Sequence, residues 1–445
     1  MTFKVLLNLI FTPFVTKKPL MAFLFSSIFV SSLSHAQIEL DVSGGEVRGI
    51  PTAVVPFKFI DAQGVTTDVA SIISSNLVAT GKFDPINPDR FLAKPSKKEE
   101  VRYKDWRFID AEILVIGEIW KLAEDSYEIQ YRMFDVAREK EIGNGETISS
   151  LRGADLRLAA HVISDKVYSN FTGRPGAFYS KIAYIKKQQI GGQSFEYKLL
   201  VADWDGHNSA EVFKTTQPLL SPSWSPDGTK IAFVSFSSTG SVVQTIDLST
   251  GATEVIASFK GINSAPSWSP DGTKLAYSSS RNGSPDVYVY TFATKKHKRI
   301  NEHFAIDTEP AWTPEGDGLL FTSSRSGKPQ IYAYRFSSGK IERITFEGDD
   351  NANGSLDFDG QNMVLVHEGG KIAVQNISSG RFKLLTNAKF DESPSFSPNG
   401  DMVLYTASFN TGSALVVAST DGRVKTRLEN LSGDIREPAW SPLKK

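Results

Sequence analysis

Residue types that perform catalysis are few in this chain, and they do not stand at catalytic spacings. It has no cysteine and six histidines, five of them beyond residue 36, and none pairs with another at metal-ligand spacing. No Gly-x-Ser-x-Gly motif lies between a strand and a helix, so a serine hydrolase is not indicated. Arg281, Arg325 and Arg436 do not form the arginine cluster that propeller sialidases use. These residues predict a protein that is not an enzyme.

Carboxylates and arginines instead recur in short polar segments at regular intervals. Such segments would suit a charged or polar protein partner, or a hard cation such as calcium, if the fold brought them to one face. The simpler alternative is that each acidic residue only caps a turn. The segments are Ile262–Ala265, Asp307–Glu309, Asn351–Asn353, Asp391–Glu392 and Asp434–Glu437, with Arg281 and Arg325 in separate turns.

A seven-residue phrase follows each of these segments and identifies the elements that must position them. Pro-Ser-Trp-Ser-Pro-Asp-Gly stands at Pro222–Gly228 and Pro266–Gly272, and four altered copies follow. The spacing between successive copies is 44, 44, 44, 40 and 44 residues, read from the aromatic or apolar third position: Trp224, Trp268, Trp312, Leu356, Phe396 and Trp440. A period near 44 is typical of a four-stranded propeller blade.

The residues within one repeat predict its strands. Ser225-Pro226-Asp227-Gly228 fits a type I turn followed by a left-handed glycine. An apolar strand follows each time, as at Ile231–Val234, and then a third strand such as Val287–Tyr290. A charged outer strand such as Lys340–Thr345 would meet water. In a propeller, the segments before each inner strand collect around one mouth of the central channel.

Ring closure can be predicted from two incomplete repeats. Ile182–Ile185 resembles a second strand but has no phrase before it, whereas Glu437–Pro442 is a phrase with no blade after it. We expect the two to share one sheet, which gives six blades and leaves no open edge of the array.

Residues 1–36 have the features of a secretory signal. Lys4, Lys17 and Lys18 precede the apolar run Leu20–Leu33, and Ser34-His35-Ala36 resembles a cleavage site. We expect cleavage after Ala36 and no membrane-spanning segment in the mature chain; an uncleaved anchor is the alternative. The mature chain would carry 46 basic and 50 acidic residues, a net charge of −4, which does not indicate nucleic-acid binding.

The fold class predicted is a two-domain chain: a small α/β (α+β) amino-terminal domain, then a six-bladed all-β propeller closed by the carboxy-terminal strand. We place the first domain at 37–172, a linker at 173–176 and the propeller at 177–445. Hydrophobic periodicity predicts helices at Asp68–Thr80, Asp105–Ile109 and Ala154–Phe171. The predicted strands are Pro51–Phe57, Ala111–Ile119, Tyr127–Met133 and Glu146–Ser149. The alternating residues 37–42 form either an edge strand or a detachable arm.

This combination resembles the TolB family of the Tol–Pal system of Gram-negative bacteria. The resemblance rests on the repeats, on Val54-Val55-Pro56-Phe57, on Gly176-Ala177-Phe178 and on the closing Pro438–Pro442. It implies a monomeric, non-enzymatic periplasmic adaptor without a required cofactor; calcium in the channel stays open. The implied partners are the peptidoglycan-associated lipoprotein and TolA, and colicins exploit the system. The implied roles are outer-membrane integrity and constriction during cell division.

The resemblance also implies site residues. This chain has Ile262 where the family has a histidine. The TolA-binding arm would be Gln37, Ile38, Glu39, Leu40 and Asp41. Two other hypotheses remain: a secreted propeller enzyme acting on a sugar or lactone, and a module that binds the bare cell wall. The expected lipoprotein-binding residues are Ile262, Ala265, Arg281, Thr308, Glu309, Arg325, Asn353, Asp391, Glu392 and Arg436.

Overall fold

The amino-terminal part folds as a mixed sheet with helices on its faces. The computed structural model describes residues 48–61, 65–238, 240–388, 390–409, 412–428, 431 and 433–443. The sheet order is β3-β1-β4-β5-β6, with β2 added beside β4. Its elements are β1 (Ile50–Val54), β2 (Lys58–Ile60), α1 (Val69–Ala79), β3 (Phe83–Pro85), α2 (Tyr103–Phe108), β4 (Ile113–Ala123), β5 (Ser126–Asp135), β6 (Lys140–Leu151) and α3 (Leu156–Thr172).

Local sequence explains where the two long helices begin and end. The side chain of Asp68 caps α1 by accepting a hydrogen bond from the amide of Ser71 at 3.0 Å. Helix α3 ends at Gly173, whose φ of 73° is the left-handed conformation that glycine adopts without strain. Both helices pack on one face of the sheet, where Ile73, Leu77 and other apolar residues are buried. The second face packs against Trp106 of α2.

Some predicted elements of this domain have different bounds. The strand predicted at Pro51–Phe57 is the shorter β1, which ends at Val54. A separate strand, β2, begins at Lys58, and both strands pair with the same edge of β4. Pro56 lies in the break, because proline has no amide hydrogen to continue the ladder. The edge strand predicted at Glu146–Ser149 is the longer β6, and register shifts interrupt its pairing with β5. The helix predicted at Asp105–Ile109 begins two residues earlier, at Tyr103.

Six four-stranded antiparallel sheets follow and form the blades. Blade 1 contains β30 (Asp434–Trp440), β7 (Lys181–Gly191), β8 (Ser194–Asp203) and β9 (Ala210–Thr215). Blade 2 contains β10 (Leu219–Trp224), β11 (Lys230–Ser237), β12 (Gly240–Asp247) and β13 (Thr253–Ala257). Blade 3 contains β14 (Asn263–Trp268), β15 (Lys274–Ser279), β16 (Asp286–Thr291) and β17 (Lys296–Arg299). Blade 4 contains β18 (Asp307–Trp312), β19 (Gly318–Ser326), β20 (Lys328–Arg335) and β21 (Ile341–Arg343). Blade 5 contains β22 (Asn351–Leu356), β23 (Asn362–His367), β24 (Lys371–Asn376) and β25 (Phe382–Leu384). Blade 6 contains β26 (Glu392–Phe396), β27 (Met402–Phe409), β28 (Gly412–Ser419) and β29 (Lys425–Arg427).

The repeated phrase ends the first strand and forms the turn to the second strand in blades 2 to 6. In blade 2 the amide of Gly228 donates to the carbonyl of Ser225 at 2.9 Å. The carboxylate of Asp227 accepts from the hydroxyl of Ser225 at 2.6 Å and from the amide of Thr229 at 3.0 Å. Gly228 has a φ of 70°. The predicted turn is therefore confirmed, and its aspartate organises the turn.

The carboxy-terminal strand closes the ring as predicted. Strand β30 pairs antiparallel with β7, from Asp434 opposite Lys187 to Trp440 opposite Ile182. Beyond the strand, the hydroxyl of Ser441 accepts a hydrogen bond from the amide of Lys181 at 2.9 Å. The first blade is thus assembled from two segments about 250 residues apart in the sequence.

The amino-terminal domain packs on the face of the ring that carries the repeat turns. One hydrophobic core runs through α1, α3 and blades 1 and 6. Lys82 forms an ion pair with Asp401 at 2.7 Å, and the hydroxyl of Tyr168 also bonds Asp401. The guanidinium of Arg423 donates to the carbonyl of Gly81. The opposite face of the ring, which carries the connections into β10, β14, β18, β22, β26 and β30, is called the mouth below.

Candidate functional site

Each inner strand of the propeller contains a bulge at the same place in the repeat. The residue three positions before the aromatic or apolar third position adopts a left-handed conformation with φ between 50° and 54°. The strand register shifts at this point in all six blades. Such a bulge turns one side chain out of the ladder. The six residues, called the bulge ring below, are Ser221, Ala265, Glu309, Asn353, Ser393 and Glu437.

The bulge ring lines a cavity of about 370 Å³ on the axis of the propeller. Below the ring, the wall is formed by one proline from each of five blades, with Gly354 at the corresponding position of blade 5. Small side chains such as Ser223 and Ser267 come next. The five prolines are Pro222, Pro266, Pro310, Pro394 and Pro438. The channel therefore has a stiff wall, and the ionisable groups that line it belong to the bulge ring.

Two glutamates of the bulge ring bind the backbone of the next blade. Glu309 accepts hydrogen bonds from the amide of Asn353 at 2.8 Å and from the hydroxyl of Thr322 at 2.7 Å. Glu437 accepts from the amide of Ser221 at 3.2 Å. In both cases the amide belongs to the next residue of the bulge ring. These bonds hold neighbouring blades in register at the mouth, so the ring is formed before any partner arrives.

Two carboxyl groups at the mouth, those of Glu437 and Glu392, have raised pKa values. Burial, followed by repulsion from Glu392, raises the pKa of Glu437 to about 7, against the stabilising bond from Ser221. Burial also raises the pKa of Glu392, while Arg436 opposes this increase. Arg436 itself pairs with Asp434 at 2.7 Å. Glu437 therefore titrates near neutral pH.

The predicted arginines lie against aromatic rings beside the mouth. The Arg281 guanidinium is 3.8 Å from the ring centroid of Tyr288 and 4.1 Å from that of Phe259. Arg325 pairs with the buried Asp307 at 2.8 Å and lies 4.9 Å from the ring centroid of Tyr332. Neither arginine lines the channel cavity. Their guanidinium groups are held in fixed positions by cation–π contacts and, for Arg325, an ion pair.

The predicted acidic segments contain two kinds of residue. The position two residues before the bulge is buried in all six blades, and in four of them it is a polar residue, Asn or Asp. Asn263 donates to the carbonyl of Phe259 at 2.7 Å, and Asn351 donates to that of Glu347 at 2.7 Å. Asp391, predicted as a contact residue, is only 2% exposed. Its burial favours the alternative in which it organises the turn.

The structure brings part of the predicted set together in the channel and leaves part outside. Ala265, Glu309 and Asn353 line the cavity, whereas Ile262, Thr308, Glu392 and Arg436 do not. These four belong to the same loops and strand starts. Sequence reasoning missed Ser221 and Ser393, and it placed Glu437 in a segment at the mouth without counting it among the lipoprotein-binding residues. The signal was available, because all six ring members stand three residues before the third position of the phrase. Their part in binding, like that of the whole predicted set, stays a prediction.

Metal ligands do not converge at the mouth within the described residues. A group of three whose ligand atoms lie within 4.8 Å of one another is His161, Asp203 and Asp205, at the domain interface. Asp203 already binds Lys181, and Asp205 binds Arg157 and His207. Because Lys181 and Arg157 already neutralise these two carboxylates, we assign the group a structural role. Calcium in the channel remains a prediction.

Comparison with known proteins identifies the family. Residues 38–142 match the TolB amino-terminal domain, and residues 168–444 match the TolB beta propeller domain. A Tol-Pal system protein TolB of Xanthomonas oryzae pv. oryzae is 47% identical over 421 residues, which is 93% of this chain and 95% of that protein. The Xylella fastidiosa protein of the same name is 46% identical over the same shares.

The chain belongs to the TolB family. A crystal structure of TolB from Acinetobacter baumannii is 37% identical and has a TM-score of 0.80, covering 92% of this chain and 100% of that one. The family therefore confirms the predicted fold: an amino-terminal α/β domain followed by a six-bladed propeller. As a TolB-family member, the protein is a component of the Tol–Pal system.

Two further predictions concern the start of this TolB-family chain. The signal segment 1–36 and the arm Gln37–Asp41 both lie outside the described residues. Among the described helices, none combines the length and the hydropathy that a membrane crossing requires.

Proposed function

We propose that this TolB-family protein is a non-enzymatic periplasmic adaptor. Its mouth would bind the peptidoglycan-associated lipoprotein, and its amino-terminal arm would bind TolA. Through both contacts it would support outer-membrane integrity and constriction during cell division, and colicins would use the same surfaces. Membership of the TolB family supports a role in the Tol–Pal system, and the preformed cavity at the mouth supports binding of a protein partner there.

The observation that carries the proposal is the bulge ring. Six residues in a strained backbone conformation are repeated around one axis, and two of them are bonded to the next blade. Non-glycine residues at positive φ cost free energy and persist where the surrounding structure holds them. A stiff cavity with polar groups at its entrance can receive a loop of a folded protein with little loss of its own conformational entropy.

No arrangement of nucleophile and base lines the channel in the described part of the chain. Serine side chains there have no histidine beside them among the residues that line the cavity. The enzyme alternative therefore gains no support from the geometry, whereas binding needs only the surface that is present.

Isothermal titration calorimetry with the soluble domain of the lipoprotein tests the proposal. We expect Thr308→Ala combined with Glu309→Gln to weaken binding by about tenfold or more, as for residues central to an interface. Glu315→Gln is the matched control, because Glu315 is an exposed glutamate of the same blade on the opposite face. Unchanged affinity in the double variant would overturn the assignment of this face.

Removal of residues 37–42 tests the second contact. We expect the truncated protein to lose binding to the TolA carboxy-terminal domain while keeping its affinity for the lipoprotein. Retained TolA binding would show that the arm is not the TolA contact.

A further inference from the structure

The amino-terminal domain contains a second cavity, of about 310 Å³, that is separate from the channel. It lies on the same face of the sheet as α2, but farther along β4. Side chains alternate across a strand, so Glu118 and Trp120 of β4 continue the row of Leu114 and Ile116. The loop at Ser96–Glu99 forms the opposite wall. The volume is at the lower end of small-molecule sites, which span about 300–1,000 Å³.

The cavity has a buried carboxylate in its wall. Glu118 is only 4% exposed, and its Oε1 accepts a hydrogen bond from the hydroxyl of Ser96 at 2.8 Å. The amide of Ser96 in turn donates to Glu100 at 2.7 Å, which holds the loop against the sheet. A carboxylate is rarely buried to this degree without several donors around it. Its place in a cavity wall therefore favours a ligand that donates hydrogen bonds to it.

Beside this carboxylate, Trp120 lines the same cavity and has an unused donor. The indole Nε1 of Trp120 is buried and has no hydrogen-bond partner among the described residues. A buried N–H without an acceptor is unfavourable, so an acceptor on a ligand would be favoured there. The indole ring also presents an apolar face. Acceptor, donor and flat apolar surface are thus side by side.

The charges around the cavity favour a ligand without net charge. Its basic residues are Lys97, Lys98 and Arg132, and its acidic residues are Glu99, Glu118 and Glu146. Lys98 and Arg132 are already paired with Glu141, at 2.7 and 2.5 Å. Glu146 accepts a hydrogen bond from Tyr131 at 2.7 Å. Arg132, the arginine among the lining residues, is thus already engaged, and the formal charges of the described wall cancel.

We propose that this cavity binds an uncharged saccharide. Sugar hydroxyls both donate and accept, which matches the carboxylate of Glu118, the indole N–H of Trp120 and the amide of Gln130. The C–H face of a sugar ring fits the apolar face of the indole. The site is independent of the mouth, so this inference does not rest on the proposed function.

The seven tryptophans of the chain allow a direct test. In protein labelled with ¹⁵N in the indole rings, the Trp120 signal is assigned by its loss in Trp120→Phe. Titration with the tetramer of N-acetylglucosamine should shift this signal saturably. Glu118→Gln should weaken the affinity by about tenfold, since it removes a charge-assisted hydrogen bond. Gln130→Ala, at an exposed position, should weaken it less and keep the fold.

Glu124→Gln is the control, because Glu124 is exposed at the hairpin that follows β4 and does not line the cavity. Its affinity should equal that of the unmodified protein. Thermal unfolding of each variant checks that the fold is retained. The proposal is overturned if the Trp120 signal does not shift saturably, or if Glu124→Gln weakens binding as much as Glu118→Gln. A shift with glycylglycine but not with the sugar would overturn the saccharide class.

Discussion

Glu437 shows how a single residue of the bulge ring links the mouth to pH. Its pKa of about 7 in the folded protein is above the ordinary value of 4.5. Between these two values the folded state holds a proton that the unfolded chain releases. The contribution of Glu437 to stability is therefore fully present below pH 4.5 and declines as the pH rises towards 7.

Replacement of this carboxyl by an amide should remove the decline. Glu437→Gln keeps an oxygen for the amide of Ser221 and cannot ionise. We expect the variant to be more stable than the unmodified protein at pH 8, by about 1 kcal/mol after screening by water in the channel. At pH 4.5 the two should be equal. Urea unfolding at both pH values measures the difference, and Glu315→Gln should show none. A constant difference at both pH values would contradict the assigned pKa.

At the scale of one strand, the bulge decides which residues face the channel. Ala265 has a φ of 50°, whereas Ala311, two residues after the equivalent bulge of blade 4, is not among the residues of positive φ. A β-branched side chain is strained at positive φ and favoured in an ordinary strand. Ala265→Val should therefore lower the free energy of unfolding by about 1–3 kcal/mol, and Ala265→Gly should not.

Ala311→Val is the matched control, since both alanines line the same cavity. It should cost less than Ala265→Val in the same urea titration. Equal losses at both sites would mean that crowding of the channel, and not backbone conformation, sets the cost.

The altered copy of the repeat in blade 5 has a structural reason that spacing alone does not reveal. In blades 2 to 4 the turn proline contacts the turn glycine of the following blade, as Pro226 contacts Gly272. Phe358 replaces this proline in blade 5, and the guanidinium of Arg174 lies 5.1 Å from its ring centroid. Arg174 also donates to the carbonyl of Asn399 at 3.0 Å. The repeat thus departs from its pattern where the segment joining the two domains packs against the ring.

At the scale of the whole molecule, the sequence predicted the propeller ring but not how the amino-terminal domain packs on it. A 44-residue period and two incomplete repeats are local signals, and they predict six blades and their closure. The contact between Tyr168 and Asp401 joins residues 233 positions apart and has no repeated pattern. The same limit applies to the site. The loops were predicted, but the strand bulge decides which loop residues line the channel, as Glu437 does, and which are buried, as Asp391 is. The residue pattern does not reveal this backbone conformation.

Closure by β30 should be essential for the stability of the whole chain. Truncation after Gly433 would leave one edge of β7 without its partner and would remove Trp440, whose indole donates to Ser180 at 2.7 Å and stacks on Trp204. Because Trp440 belongs to the core shared by both domains, the loss should reach the amino-terminal domain as well. Loss of a buried tryptophan alone costs about 3–5 kcal/mol.

We expect the truncated protein to melt well below the full chain and to self-associate through the exposed edge. A synthetic peptide of residues 434–443, added in excess, should restore the melting temperature and the elution volume of the full chain, because it can pair with β7 in the register of β30. A peptide of the same composition in scrambled order is the control. If the truncated protein melts like the full chain without the peptide, the ring does not depend on this strand for its stability.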